Sequence, residues 1–301
     1  MRTLPLRAVA PALLLAALLA GCSSADAGSS DDPLTLLYTA DAQGYLEACA
    51  CDTGGELGGI ARRAFLVDSL RERDPGTLLV EAGDFATSPG PRGEMGGLVA
   101  VRAMNRMGYD AVLPGEVELN LGAGFWQKVQ GLQLPFVHTN FGTPALGPPQ
   151  AEPLMVECAG RRIAVLGLLG TDLYLLPPVK EELRLLPPLE AAGAALETLE
   201  EDEVDLVVAL VHMRGAQLDS LTARFPRIDV VVAGHTSRNL DEPERRGSAL
   251  LVSAGFLGQH VGALRLAGPE LEEAENSIIR IETTLPEEPE IARWVGIAAP
   301  G

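Results

Sequence analysis

Apolar residues fall into two alternating rhythms along the chain. Short, nearly continuous runs rich in β-branched residues, such as VDLVVALVH and IDVVVAGH, suit strands covered on both faces. Between them, apolar residues recur at helical spacing. The pattern predicts strands at Leu34–Thr39, Thr77–Glu81, Ala111–Leu113, Phe136–Thr139, Leu154–Glu157, Arg162–Gly167, Leu206–Val211, Val230–Ala233, Ala249–Ser253, Val261–Leu266 and Ile278–Thr283. Helices are predicted at Gly59–Arg73, Gly97–Met107, Phe125–Gln130, Leu189–Glu201 and Gln217–Phe225. An early βαβ rhythm followed by adjacent strands implies a layered α/β sandwich with mixed sheets.

Polar residues recur where these strands end. Asp41 follows LTLLYTA, Asp84 follows LLVEAG, Glu116 follows AVLPG, Asn140 follows FVHT, His212 ends LVVALV and His235 follows VVVAG. Each alone reads as a turn former or a helix cap. Together they sit where ligand sites of α/β folds lie, outside the carboxyl ends of strands.

The chain of 301 residues opens with MRTLPLRAVAPALLLAALLAGC, two arginines and then an apolar run too short to span a membrane as a helix. This reads as an export signal over residues 1–21. It ends in Leu-Ala-Gly-Cys, which looks like a bacterial lipobox, so Cys22 is the expected lipidation site. Acyl chains there would anchor the protein to a membrane surface, on the outer membrane of a Gram-negative host because Ser23 follows the cysteine. Residues 22–33 read as a flexible tether, 34–285 as one large domain and 286–301 as a C-terminal tail. The formal net charge is −18, and removal of the leader strips Arg2 and Arg7 with no acid. So acidic a chain repels polyanions and is not a general nucleic-acid binder. If it takes a small phosphoester, a bound cation has to supply the attraction.

Several motifs, in order, resemble the metallophosphoesterase domain of the 5'-nucleotidase family, from about Leu34 to Thr283. The family's opening Thr-Asn-Asp-x-His-Gly appears as TADAQG, which keeps Asp41 and puts Gln43 in the place of the histidine. Its Gly-Gly-x-Ala-Arg appears as GGIAR ending at Arg62, and its Ala-Gly-Asp as AGDF with Asp84. Leu-Gly-Asn-His-Glu becomes LPGEVE, with Glu116 for the asparagine and Val117 for the histidine. His212 matches a later strand-end histidine, and Gly-His-Thr-His becomes GHTS, which keeps His235 and ends in Ser237.

The resemblance implies a four-layer αββα sandwich and a centre in which two divalent ions share an aspartate, activate a hydroxide and clamp phosphoryl oxygens. Asp84 would bridge, Glu116, His212 and His235 would complete one ion's shell, and the other ion would keep Asp41 and Asp84 with the weak donors Gln43 and Ser237. One well-formed site for Zn, Mn, Fe or Mg is therefore expected. Asp84 and Asp41 carry the catalytic expectation; Asn140, Arg62 and Ser237 would stand behind the ligands. Val117 can neither transfer a proton nor stabilise charge, so hydrolysis should be weakened by roughly 10² to 10⁴. A second domain holds the nucleoside in that family, and no nucleotide specificity is carried over.

GYLEACAC followed by GGELGGIARR also resembles a subgroup of 5'-nucleotidase-like lipoproteins and selenoproteins with Cys or selenocysteine in this loop. Three readings of Cys49 and Cys51 stay open: thiolate ligands drawing a softer metal, a redox-cycling pair, or a structural bridge, with Cys158 as one potential partner. Glu118 is a further candidate at the metal or redox site. Cys158 itself reads as a buried small hydrophobe, and His138 and His260 as structural histidines. Arg62 and Arg63 have two readings, a phosphate contact or surface salt bridges. The alternative to a phosphoesterase is a non-hydrolytic metal-binding or thiol redox lipoprotein on the same scaffold.

Overall fold

A computed structural model describes residues 32–52, 55–200, 204–268 and 273–298, with the side chains of 51 and 52 excepted. The expected leader, Cys22 and most of the tether lie outside the described residues. In chain order the strands are β1 (Leu34–Thr39), β2 (Ala48–Asp52), β3 (Gly55–Gly58), β4 (Thr77–Glu81), β5 (Ala111–Val112), β6 (Phe141–Gly142), β7 (Leu154–Cys158), β8 (Arg161–Leu169), β9 (Arg184–Leu185), β10 (Leu206–His212), β11 (Val230–Gly234), β12 (Glu244–Arg246), β13 (Ala249–Val252), β14 (His260–Ala267) and β15 (Glu273–Arg280). The helices are α1 (Ile60–Arg73), α2 (Pro91–Met107), α3 (Glu116–Asn120), α4 (Gly122–Val129), α5 (Pro177–Glu182), α6 (Pro188–Glu197), α7 (Gly215–Arg224) and α8 (Pro289–Ala298). Among the described residues, no helix is long and apolar enough to cross a membrane.

Two mixed sheets dominate. One has five strands in the order β15-β14-β1-β4-β5, the other six in the order β12-β13-β11-β10-β8-β7. In the first, β1, β4 and β5 run parallel while β14 and β15 are antiparallel additions. In the second, β8, β10, β11 and β13 run parallel between antiparallel edges β7 and β12.

Side-chain alternation shows how the layers stack. Along β8, β10 and β11, Ile163, Val165, Val208, Leu210, Val230 and Val232 join one core with residues of the first sheet and of α1 and α2. The residues between them, including Ala164, Leu166, Val207, Ala209 and Val231, join a second core with Ala192 and Leu196 of α6 and Leu218 and Leu221 of α7. Because successive residues of a strand face opposite sides, the two sheets pack face to face with helices outside each. This is the four-layer arrangement expected.

The differences from the sequence reading have local causes. Phe136–Thr139 makes no regular strand: Val137 N–H reaches the carbonyl of Val112 at 2.9 Å, and Thr139 N–H that of Gly167 at 2.8 Å. The segment crosses from one sheet to the other. The glycine-rich stretch after Asp41 contains the hairpin β2–β3. Part of the stretch read as a C-terminal tail is α8, with buried Ile291 and Val295, which packs on α1 and α2. The helix expected from Gly97 begins at Pro91, a residue suited to a first helical turn, and ends at Gly108 in the left-handed conformation (φ 66°).

Candidate metal centre

The carboxyl ends of the parallel strands of both sheets meet at one seam. Asp84 and Glu116 follow β4 and β5 of the first sheet; His212 ends β10 and His235 follows β11 of the second. One ligand atom from each of these four residues lies within 4.8 Å of the others. Asp84 (φ 57°), His235 (φ 58°) and the neighbouring Asp41 (φ 50°) all adopt the left-handed backbone conformation. Non-glycine residues seldom do so, and such strain gathers where a site dictates side-chain direction.

Hydrogen bonds fix each ligand. His212 is fully buried, with Nδ1 2.9 Å from the carbonyl of Ala82, which accepts the Nδ1 proton and points Nε2 at the cluster. Nε2 then stands 2.7 Å from Glu116 Oε2 and 3.5 Å from Asp84 Oδ2. Glu116 Oε2 is buried, yet the close approach of His212 is not a well-formed hydrogen bond to it. Glu116 Oε2, His212 Nε2 and His235 Nδ1, the last two 3.2 Å apart, thus converge on one point where a cation could sit. Asp84 Oδ1 accepts the Val117 N–H at 3.1 Å, and Glu116 Oε1 lies 3.2 Å from His235 Nδ1.

The electrostatics agree with the geometry. Burial pulls the Glu116 carboxyl upward, but the adjoining imidazoles of His212 and His235 outweigh it and hold the group well below the usual range. Burial would lower His212, and the carboxylates of Asp84 and Glu116 more than reverse this. Asp41 is pushed up to about 6 by burial, against the nearby His212 and the Thr236 N–H. Its two oxygens accept the backbone N–H groups of His235 and Thr236 at 3.1 and 3.2 Å. Asp41 therefore borders the cluster and ties the His235 loop in place.

The other expected residues take different places. Glu118 is fully buried and accepts the N–H groups of Asp84 (3.0 Å), Gly115 (2.8 Å) and Ala86 (2.6 Å), which makes it the clamp of the ligand loops rather than a ligand. Gln43 is exposed; its backbone N–H bonds the Asp84 carbonyl at 2.7 Å. Ser237 is exposed. Asn140 bonds the backbone of Leu169 on both sides and the carbonyl of Leu186, bracing the strand beside His212 without touching the cluster. Arg62 pairs with Glu287 at 2.9 Å. His138 meets the Phe141 carbonyl through Nδ1 at 3.0 Å, and burial holds it below its usual range. His260 is half-buried at the start of β14.

Cys49 is disulfide-bonded, so in this state it is not a thiolate, and its Sγ takes a contact from Gln259 Nε2 at 3.7 Å. Cys158 is buried as expected but also disulfide-bonded, so it is no free thiol. The Cys51 side chain lies outside the described residues.

Arg63 departs from both readings given for it, and one further feature escaped the sequence reading. Arg63 is fully buried, with Nη1 3.8 Å from Glu81 Oε2, and Thr39 Oγ1 bonds Glu81 (2.6 Å) and the Tyr109 hydroxyl (2.7 Å). That further feature is Arg214, whose Nε lies 3.2 Å from His235 Nε2. The arginine in HMRG, two residues past a strand-end histidine, was the available signal.

No family model matches the chain. A 5'-nucleotidase of Rattus norvegicus is 29% identical over 249 residues, covering 77% of this chain and 42% of that protein. The chain spans about two-fifths of the length of the curated relatives it matches first. A 5'-nucleotidase precursor from Thermus thermophilus superposes with a TM-score of 0.73 at 24% identity, covering 89% of this chain and 58% of that one. The calcineurin-like phosphoesterase YfkN from Bacillus subtilis superposes with a TM-score of 0.64 at 19% identity, over 88% and 96% of the two chains. The homologues and structural neighbours of this chain are thus 5'-nucleotidases and calcineurin-like phosphoesterases, and the fold is the one they share.

Proposed function

We propose that this chain is a metal-dependent phosphoesterase domain of the 5'-nucleotidase type, tethered to the cell envelope through lipidated Cys22 and facing the periplasm. The observation that carries the reading is the buried convergence of Glu116 Oε2 and His212 Nε2, 2.7 Å apart, inside a four-residue set of metal-ligand type. Two carboxylates and two imidazoles suit Zn, Fe or Mn better than Mg, which prefers oxygen donors and water. Asp84, Glu116, His212 and His235 would hold the ion. A bound divalent ion supplies a nucleophile at neutral pH and neutralises phosphoryl charge.

The protein residues do the positioning. Asp41 holds the His235 loop through two backbone bonds, and Glu118 holds the Asp84 and Gly115 backbones. Val117 presents an aliphatic side chain where a donor to the reacting group would help, which favours slow turnover.

The test is elemental analysis of the full chain purified in detergent, followed by phosphate release from a panel of monoesters with each metal restored. Stoichiometric metal and a release abolished by Asp84→Asn are expected. Metal without release from any ester would sink the hydrolytic reading and leave a metal-binding lipoprotein. Failure to bind metal after reconstitution would reject both.

A further inference from the structure

Arg214 is the N-terminal flanking residue of α7 and sits directly after the His212 strand end. Its Nε lies 3.2 Å from His235 Nε2 and 3.6 Å from Asp172 Oδ2. The Asp172 loop is itself stitched to α7: Gln217 Nε2 donates to Thr171 Oγ1 at 3.1 Å and to Asp172 Oδ1 at 3.3 Å, while the Thr171 N–H reaches Gln217 Oε1 at 3.2 Å. The arginine is thus steered from two elements, although its side chain is 65% exposed. Its two Nη groups have no partner among the described residues.

Three other arginines are engaged elsewhere. Arg63 is buried against Glu81, Arg62 pairs with Glu287, and Arg238 pairs with Glu244. The centre itself is rich in negative charge, with Asp41, Asp84 and Glu116 together in a chain of net charge −18. One divalent ion does not neutralise three carboxylates, so an incoming phosphoryl group still meets a negative field.

The chemistry of His235 adds a constraint. An imidazole nitrogen that accepts from Arg214 Nε has a free lone pair and leaves the ring proton on Nδ1. If the ring ligates a cation through Nδ1, Nε2 must carry the proton and cannot accept; if it ligates through Nε2, the lone pair is taken. In both cases the Arg214–His235 hydrogen bond and metal ligation exclude each other. Loading the centre would free Arg214 Nε from His235 and leave Asp172 as its contact, so that Nε and an Nη could form the two-pronged contact that guanidinium makes with phosphate oxygens.

We infer that Arg214 binds the phosphoryl oxygens of the substrate, supplying from the α7 side the positive charge that Val117 does not. This rests on the phosphoesterase reading above. Lysine in its place would keep the charge and lose the fork.

The test is calorimetric titration of inorganic phosphate into the metal-loaded full chain, with metal content measured on each sample. Arg214→Ala is expected to weaken phosphate by roughly ten-fold or more with metal content unchanged, and Arg214→Lys to recover part of the loss. Arg238→Ala, an exposed arginine paired with Glu244, is the control and should leave phosphate affinity as it was. Unchanged affinity in Arg214→Ala overturns the assignment, and so does a loss of phosphate that follows a loss of metal. If the loaded wild-type chain holds metal and binds no phosphate, the phosphoester reading falls, and this assignment falls with it.

Discussion

Glu118 shows what a single carboxyl group can organise. It is fully buried, and burial and the neighbouring Asp84 push it up to about 8, yet it accepts three backbone N–H groups that set the loops carrying Asp84 and Glu116. Glu118→Ala should strand those donors and destabilise the protein by about 3 kcal/mol or more, measured by chemical denaturation. Glu118→Gln should cost less: its carbonyl can still accept from Asp84 and Gly115, while its amide opposes the Ala86 N–H. Equal stability in all three proteins would show that the N–H groups find other partners. At this scale, strand-end position and residue type marked six residues, the four clustered ones with Asp41 and Asn140, and the family resemblance set the four apart. The distinction between a ligand and a clamp was not legible. Glu116 and Glu118 stand two apart in one motif, and only the fold shows that one faces the histidines and the other faces the backbone.

At the scale of elements, the turn between β5 and α3 brings the backbone of Gly115 hard against Asp84. A Cβ on Gly115 would lie 2.2 Å from Asp84 Oδ1, so Gly115→Ala must push the carboxylate or the turn aside. The expected result is a 10- to 100-fold loss of metal affinity in a competition assay with a chromophoric chelator, comparable to losing a group that orients a ligand. Undiminished affinity would mean that the turn relaxes freely. The strands β1, β4, β8, β10 and β11 were readable as unbroken apolar runs, since both their faces are covered. The hairpin β2–β3 was not, because its glycines and cysteines carry no alternation. α8 was missed for another reason: it follows a run of prolines and acids that reads as a tail, and it is held by packing on α1 and α2.

For the whole molecule, buried carboxyls away from the ligand set make stability depend on pH. Burial raises Glu81 from 4.5 to about 7 and Asp110 from 3.8 to about 6. Both folded values lie above the unfolded ones, so the folded chain binds these protons more tightly. Stability from this source is present at low pH and is lost as pH rises towards those folded values. The metal-free protein should melt a few degrees lower at about pH 7.5 than at about pH 5.5, and Asp110→Asn should flatten part of the slope. A midpoint that rises over this interval would contradict the assignment. The layered architecture was legible from the alternation of strand and helix patterns; the crossing of residues 136–139 between the sheets was not, because each of its bonds goes to a partner remote in sequence. One further consequence concerns the order in which the chain can mature. β1 lies between β4 and β14, with Leu34 opposite Leu266. The first strand among the described residues therefore keeps an open edge until β14 is made. A partly synthesised chain exposes an apolar strand edge that can pair with the wrong neighbour.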